Sequence, residues 1–141
     1  MLEIYTAGFL DADGSVSLQK GRSTDPNYMR TPEVSFYNCD RTILDAISAR
    51  WGGKVKNNKP TSEKHNVSFC LRIGGDAALR LLDEVMPYML HQKKSLRAKL
   101  IVEHYKDCTP RNGKYTPDLI EKKTWLVEEV MGMTMRGVGA W

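Results

Sequence analysis

Thr6-Ala7-Gly8-Phe9-Leu10-Asp11-Ala12-Asp13-Gly14 is the stretch that decides how this chain reads. It has the composition of a helix that ends on two carboxylates. The C-terminal end of a helix carries partial negative charge from carbonyls without intrahelical partners, so acidic side chains are disfavoured there. Asp11 and Asp13 at that end require a cation nearby. Gly8 and Ala12 lie four apart on one helix face, with Ala7 beside them. A face of small residues lets a second backbone come close. Carboxylates at the tip of such a helix point to a metal site where two of these helices meet.

The pattern Asp-x-Asp-Gly also occurs in calcium loops of the EF-hand type. Those need glycine at loop position six and a bidentate glutamate at twelve. Counted from Asp11, these positions hold Val16 and Arg22, so that reading fails. The nine residues instead resemble the LAGLIDADG motif that names a family of homing endonucleases. Seven of the nine are identical or conservatively replaced, Thr6 and Phe9 being the departures, and the tail from Asp11 to Gly14 is unchanged. The order of elements that follows is similar to the family over residues 1 to about 131.

At 141 residues the chain is expected to be one domain, residues 1–141, large enough to bury a core. Its 21 Lys and Arg against 17 Asp and Glu give a net charge of +4. That mild excess favours a polyanionic partner without proving one. Cys39, Cys70 and Cys108 are widely spaced and match no metal-ligand pattern. The odd count and the lack of a secretory signal suggest a reducing, intracellular setting, whether cytoplasm, nucleoid or organelle. No apolar run reaches the roughly 18 residues that span a membrane.

Periodicity gives the order of elements. A helix over 2–13 is closed by Gly14, which suits a left-handed cap. Residues 15–20 alternate, with Val16 and Leu18 on one face and Ser17 and Gln19 on the other. Asp25-Pro26-Asn27 marks a loop, and 33–37 alternate again, Val34 and Phe36 opposing Glu33, Ser35 and Tyr37. Asp40 caps a helix over 41–50 with an apolar stripe of Ile43, Leu44, Ile47 and Trp51. A third strand begins at Lys54-Val55-Lys56, and a polar hairpin region runs to His65. In the fourth strand Val67, Phe69, Leu71 and Ile73 oppose Ser68, Cys70 and Arg72. Asp76 is the expected cap of a helix carrying Leu79, Leu82, Val85, Met86 and Met89, which Pro87 ends or bends. A basic helix over 93–105 should bury Leu96, Leu100 and Ile101. Thr116-Pro117-Asp118 starts the last helix. Residues 132–141 carry no assignable pattern. The fold class is therefore α+β, an αββαββα core with C-terminal helices added. Its antiparallel four-stranded sheet has helices on one face and is open on the other.

The open face would present Ser17, Gln19, Glu33, Ser35, Tyr37, Lys54, Lys56, Ser68, Cys70 and Arg72, with Arg22 and Arg30 from the intervening loop. A merely solvated face is the alternative, but this one lacks the opposed Glu/Lys pairs that stabilise exposed sheets. Hydroxyls, amides and cations suit base edges and phosphates of double-stranded DNA. The resemblance implies that this face is curved and forms the DNA-binding surface.

The resemblance also implies the chemistry. Asp13 would bind Mg²⁺ directly, with the main-chain carbonyl of Ala12 as a further ligand. Mn²⁺ should substitute, and Ca²⁺ should bind without cleavage. Asp40 matches the place of a polar residue that orders metal-bound water, a plain helix cap being the alternative. The run His91-Gln92-Lys93-Lys94 matches the place of a basic residue near the cleaved phosphate, with Lys93 preferred to Lys94. His65 and His104 have no evident partners and read as structural. One motif copy supplies one metal-binding aspartate, whereas cutting two strands needs two. A homodimer packed through Ala7, Gly8, Asp11 and Ala12 doubles the set and recognises a near-palindromic site. The expected activity is thus a Mg²⁺-dependent double-strand break, with no membrane or small-molecule substrate involved. An intron RNA maturase or a DNA-binding regulator on the same scaffold is the alternative.

Overall fold

A computed structural model describes residues 1–58 and 67–133. The expected hairpin around His65 and the unassigned tail from 134 onward lie outside the described residues. Helix α1 (Leu2–Asp13) has the predicted extent. It is apolar on two sides. Thr6, Ala7 and Leu10 are buried in the protein's own core, and Phe9 packs edge-on against Phe36 at 5.5 Å. The other side, with Ile4, Tyr5, Gly8 and Ala12, faces solvent.

Gly14 ends α1, but not in the expected left-handed conformation: its φ is −96° and ψ 177°, an extended backbone open to any residue. Glycine is needed for space. A Cβ there would lie 2.9 Å from Leu10 Cα and 3.1 Å from the Ser35 carbonyl oxygen. The turn from α1 into the sheet is therefore set by close backbone approach.

Strands β1 (Ser15–Gln19), β2 (Thr31–Asn38), β3 (Lys54–Asn58) and β4 (Ser68–Gly74) form one open antiparallel sheet in the order β1-β2-β4-β3. Val16, Leu18, Val34, Phe36, Leu71 and Ile73 point to the helix side and are at most 1% exposed. Strand β2 starts two residues earlier than alternation suggested and includes Pro32, opposite Leu18. The peptide groups of Leu18 point the other way. Its N–H donates to Met131 Sδ and its carbonyl accepts from Arg30 Nη1. Pro32 thus needs no donor toward β1, which is what a strand proline requires.

Helices α2 (Arg41–Trp51), α3 (Gly75–Val85), α4 (Gln92–His104) and α5 (Pro117–Met131) complete the covered side with α1. Asp40 caps α2 by accepting from Thr42 N at 2.8 Å, and Thr116 caps α5, both as predicted. Asp76 is not a cap. Helix α3 starts one residue earlier, on Gly75 at φ +62°, and Asp76 falls in its first turn, where the helix dipole still favours a carboxylate. Arg50 joins α1 to α3 through Glu3 (2.8 Å) and Glu84 (3.0 Å), and the Trp51 indole also donates to Glu84.

On α4, Ile101 is buried and Leu100 packs against the core as expected, but Leu96 is 46% exposed and Arg97 and Ala98 are buried instead. Arg97 is tolerated because its guanidinium donates to the carbonyls of Val16 and Met133, each at 2.8 Å, tying α4 to β1 and the end of α5. Lys123 of α5 is also fully buried. Its ammonium donates to Thr109 Oγ1 (3.1 Å) and Tyr115 Oη (2.9 Å) and lies over the Tyr105 ring. Burial pulls its pKa down to about 8. A free lysine titrates near ~10.4, so between the two values the unfolded chain binds more protons and stability rises with pH. Burial pushes the Cys108 thiol and the Tyr105 and Tyr115 phenols up, which acts with the opposite sign at higher pH. Thermal melts should therefore show stability rising by roughly 1 kcal/mol from about pH 8 to 9.5. Lys123→Met should remove that rise.

Candidate functional site

Strand register decides what the open face presents. Ser15, Ser35, Arg72 and Lys54 pair in one row across all four strands. Ser17 pairs with Glu33, Tyr37 with Cys70, Cys70 with Lys56, and Ser68 with Asn58. All ten strand residues predicted for this face are on it. A depression of about 420 Å³ lies over β1 and β2 and is lined by Ser15, Ser17, Gln19, Lys20, Glu33, Ser35, Tyr37 and Arg72. A second, of about 270 Å³, is lined by Lys54, Lys56, Asn58, Cys70 and Arg72. Ser17, Ser35 and Cys70 form the floor, at 5–7% exposure. Gln19, Tyr37, Lys54, Lys56 and Arg72 stand exposed around them. Gln19 donates to Ser17 Oγ at 2.9 Å, and Arg72 Nη2 reaches the Tyr37 hydroxyl at 3.5 Å.

The loop arginines differ. Arg22 is exposed in the turn that its N–H closes onto Asp25. Arg30 is half-buried: Nη1 donates to the Leu18 carbonyl at 2.9 Å, and Nη2 lies 3.4 Å from Asn27 Oδ1. These bonds hold the loop to the outer edge of β1. Ser15, Lys20 and Asn58 belong to the face and were missed. Period two, extended by one step, would have found Ser15 and Asn58.

The acidic end of α1 does have its cation. Lys94 Nζ donates to the carbonyls of Leu10 (3.1 Å) and Asp11 (2.8 Å). Burial lowers the pKa of this ammonium, and the charges of Asp11 and Asp13 oppose that shift. Asp11 Oδ2 accepts from Leu90 N at 2.7 Å, while its Oδ1 is buried without a hydrogen-bond partner. Asp13 and Ala12 at the tip are exposed. Lys93 is half-buried in the first turn of α4. Asp40 has its Oδ1 committed to Thr42 N, and that bond holds its carboxyl below the usual range.

The proposed contact face of α1 also needs correction. Ala7 is fully buried inside the protein and cannot meet a second molecule. Asp11 is half-buried and bound to Leu90. The exposed stripe is Ile4 (55%), Tyr5 (60%), Gly8 and Ala12, at helical spacing. A Cβ added at Gly8 would meet nothing within 4 Å. Tyr88 and Leu90, exposed by 49% and 89%, lie on the segment bonded to α1 through Asp11.

No family model and no curated protein matches the chain. Solved structures do. The homing endonuclease I-CvuI, in complex with its target in the presence of Ca, superposes with a TM-score of 0.68 at 21% identity, over 96% of this chain and 83% of that one. The archaeal intron-encoded homing endonuclease I-Vdi141I, complexed with DNA, gives 0.64 at 19%, over 96% and 85%. The LAGLIDADG homing endonuclease I-GzeII, in complex with a DNA target, gives 0.63 at 14%, over 98% of this chain and 46% of that one. No helix among the described residues is long and apolar enough to cross a membrane. The helices on one side and the open antiparallel sheet on the other give this chain the fold of the LAGLIDADG homing endonucleases.

Proposed function

We propose that the chain is a site-specific DNA endonuclease of the homing type. It acts as a homodimer on a long, near-palindromic duplex and makes a Mg²⁺-dependent double-strand break. The observation that carries this reading is the cross-strand register, which lines one open sheet face with hydroxyl, amide and cationic groups beside the Asp13 tip of α1. Such groups contact phosphates and base edges, and a two-stranded ribbon fits the major groove.

The residues at the tip fit a hard cation. Among the described residues no three His, Cys, Asp or Glu side chains come together, so one protomer offers Asp13 and oxygen donors such as the Ala12 carbonyl. Mg²⁺ is held by one or two carboxylates with water and phosphate oxygens completing the shell. When bound, it would neutralise the scissile phosphate and acidify a water. Mn²⁺ should replace it, and Ca²⁺ should support binding alone. Lys93 is proposed at the phosphate, as the position in the His91–Lys94 run that the resemblance favours, while the Lys94 ammonium donates to carbonyls of α1. Asp40 enters only through Oδ2, as a group that orders water.

The second copy docks on the exposed stripe of Ile4, Tyr5, Gly8 and Ala12. Two small-residue faces allow close backbone approach and bring both Asp13 residues to the centre of a double-length sheet surface. The test is a plasmid carrying the fused sequences that flank the gene. Linear product that needs Mg²⁺ supports the reading. Tight, salt-sensitive binding without a cut would favour a maturase or regulator. The double change Lys54→Ala and Lys56→Ala should reduce the slope of log affinity against log salt by about 2, measured by titration at several ionic strengths.

A further inference from the structure

We propose that Lys94 is a positioning residue that holds the end of α1 so that Asp13 is in place before the metal arrives. This rests on the endonuclease reading above.

A helix leaves its last carbonyls without intrahelical donors. Here the Leu10 carbonyl still accepts from the Gly14 N–H, and those of Asp11, Ala12 and Asp13 lie beyond it. Lys94 takes the Asp11 carbonyl and adds a second donor to that of Leu10. The carbonyls of Ala12 and Asp13 belong to the tip that carries the Asp13 carboxylate. The main chain that carries this ammonium is itself held. The Lys94 main-chain N–H donates to His91 Nδ1 at 3.2 Å, and the nearby Leu90 N–H donates to Asp11 Oδ2. The end of α1 and the start of α4 are thus joined in both directions, with a charge-assisted bond from each side.

Two consequences follow from the charges. A carboxylate at a helix C-terminus is repelled by the helix dipole. A fixed cation beside it offsets that repulsion in the metal-free protein, so Asp13 need not swing away. By occupying the carbonyls of Leu10 and Asp11, Lys94 also confines a divalent ion to the tip. A lysine that merely stabilised the helix would do neither, and its loss would lower only the melting temperature.

The experiment compares wild type, Lys94→Met and Lys94→Arg on the flanking-sequence duplex. Lys94→Met should raise the Mg²⁺ concentration for half-maximal cutting by about tenfold, the usual effect of removing a group that orients a metal ligand. Metal-free DNA affinity should stay within about twofold, because the Lys94 ammonium is bonded to main-chain carbonyls of α1 and Lys94 is not among the residues lining the two depressions of the sheet face. Lys94→Arg should restore most of the loss. Mn²⁺ binding to the protein–DNA complex, followed by electron paramagnetic resonance, reads the same site without cleavage. Lower thermal stability with unchanged Mg²⁺ and Mn²⁺ affinities overturns the proposal. If Lys94→Met does not fold, Lys94→Gln is judged by the same criteria. Asp13-dependent Mn²⁺ binding without cutting in wild type overturns the endonuclease reading alone. Absence of Asp13-dependent Mn²⁺ binding overturns both.

Discussion

Asp13→Asn should keep the affinity for duplex DNA and lower the rate of cutting by about a thousandfold, about 4 kcal/mol of transition-state stabilisation. The side chain is exposed at the tip of α1 and no hydrogen bond within the described residues depends on it, so the amide should not disturb the fold. The sheet face that would carry DNA affinity is built from other elements. Binding and cutting should therefore separate. Titration of a labelled duplex in Ca²⁺, beside a single-turnover cleavage assay in Mg²⁺, checks both halves. Retained cutting in the variant would remove Asp13 from the chemistry. Loss of binding and cutting together would point to damage at the end of α1.

Gly8→Glu should convert a dimer of twice the 16.0 kDa chain mass into a monomer and abolish double-strand cutting. The position is exposed, and an added Cβ meets nothing, so the protomer should fold unchanged. Across a twofold axis, however, the two glutamates would face each other in place of two bare backbones. Like charges brought together at an interface cost several kcal/mol, about a hundredfold or more in dimer affinity. Light scattering with the cleavage assay reads both effects. Ala7 offers no such test, because its substitution would fill the protein's own core. A Gly8→Glu variant that remains dimeric would move the contact surface elsewhere.

What the sequence determined by itself is local. Alternation in 15–20, 33–37 and 68–73 assigned each strand residue to its face, because β side chains alternate whatever lies above them, while Val67, expected on the core face, lies before β4 and is exposed. Asp40 and Thr116 were legible as caps because a cap bonds to backbone two or three residues away. The extent of α1 was legible as well, but not why Gly14 ends it: the glycine is required by close approach to Leu10 and the Ser35 carbonyl. Tertiary structure decided the rest. Helix α1 is apolar on both sides, so periodicity could not say that Ala7 faces inward and Gly8 outward; the sheet beneath it did. Leu96 lost its expected place to Arg97, whose buried charge is satisfied by carbonyls of β1 and of Met133. Arg30 was drawn to an edge carbonyl, and Lys94 reached a helix end 83 residues earlier in the chain. Lys94 and Arg97 find partners on elements about eighty residues away in sequence. Only packing brings those elements within hydrogen-bond range.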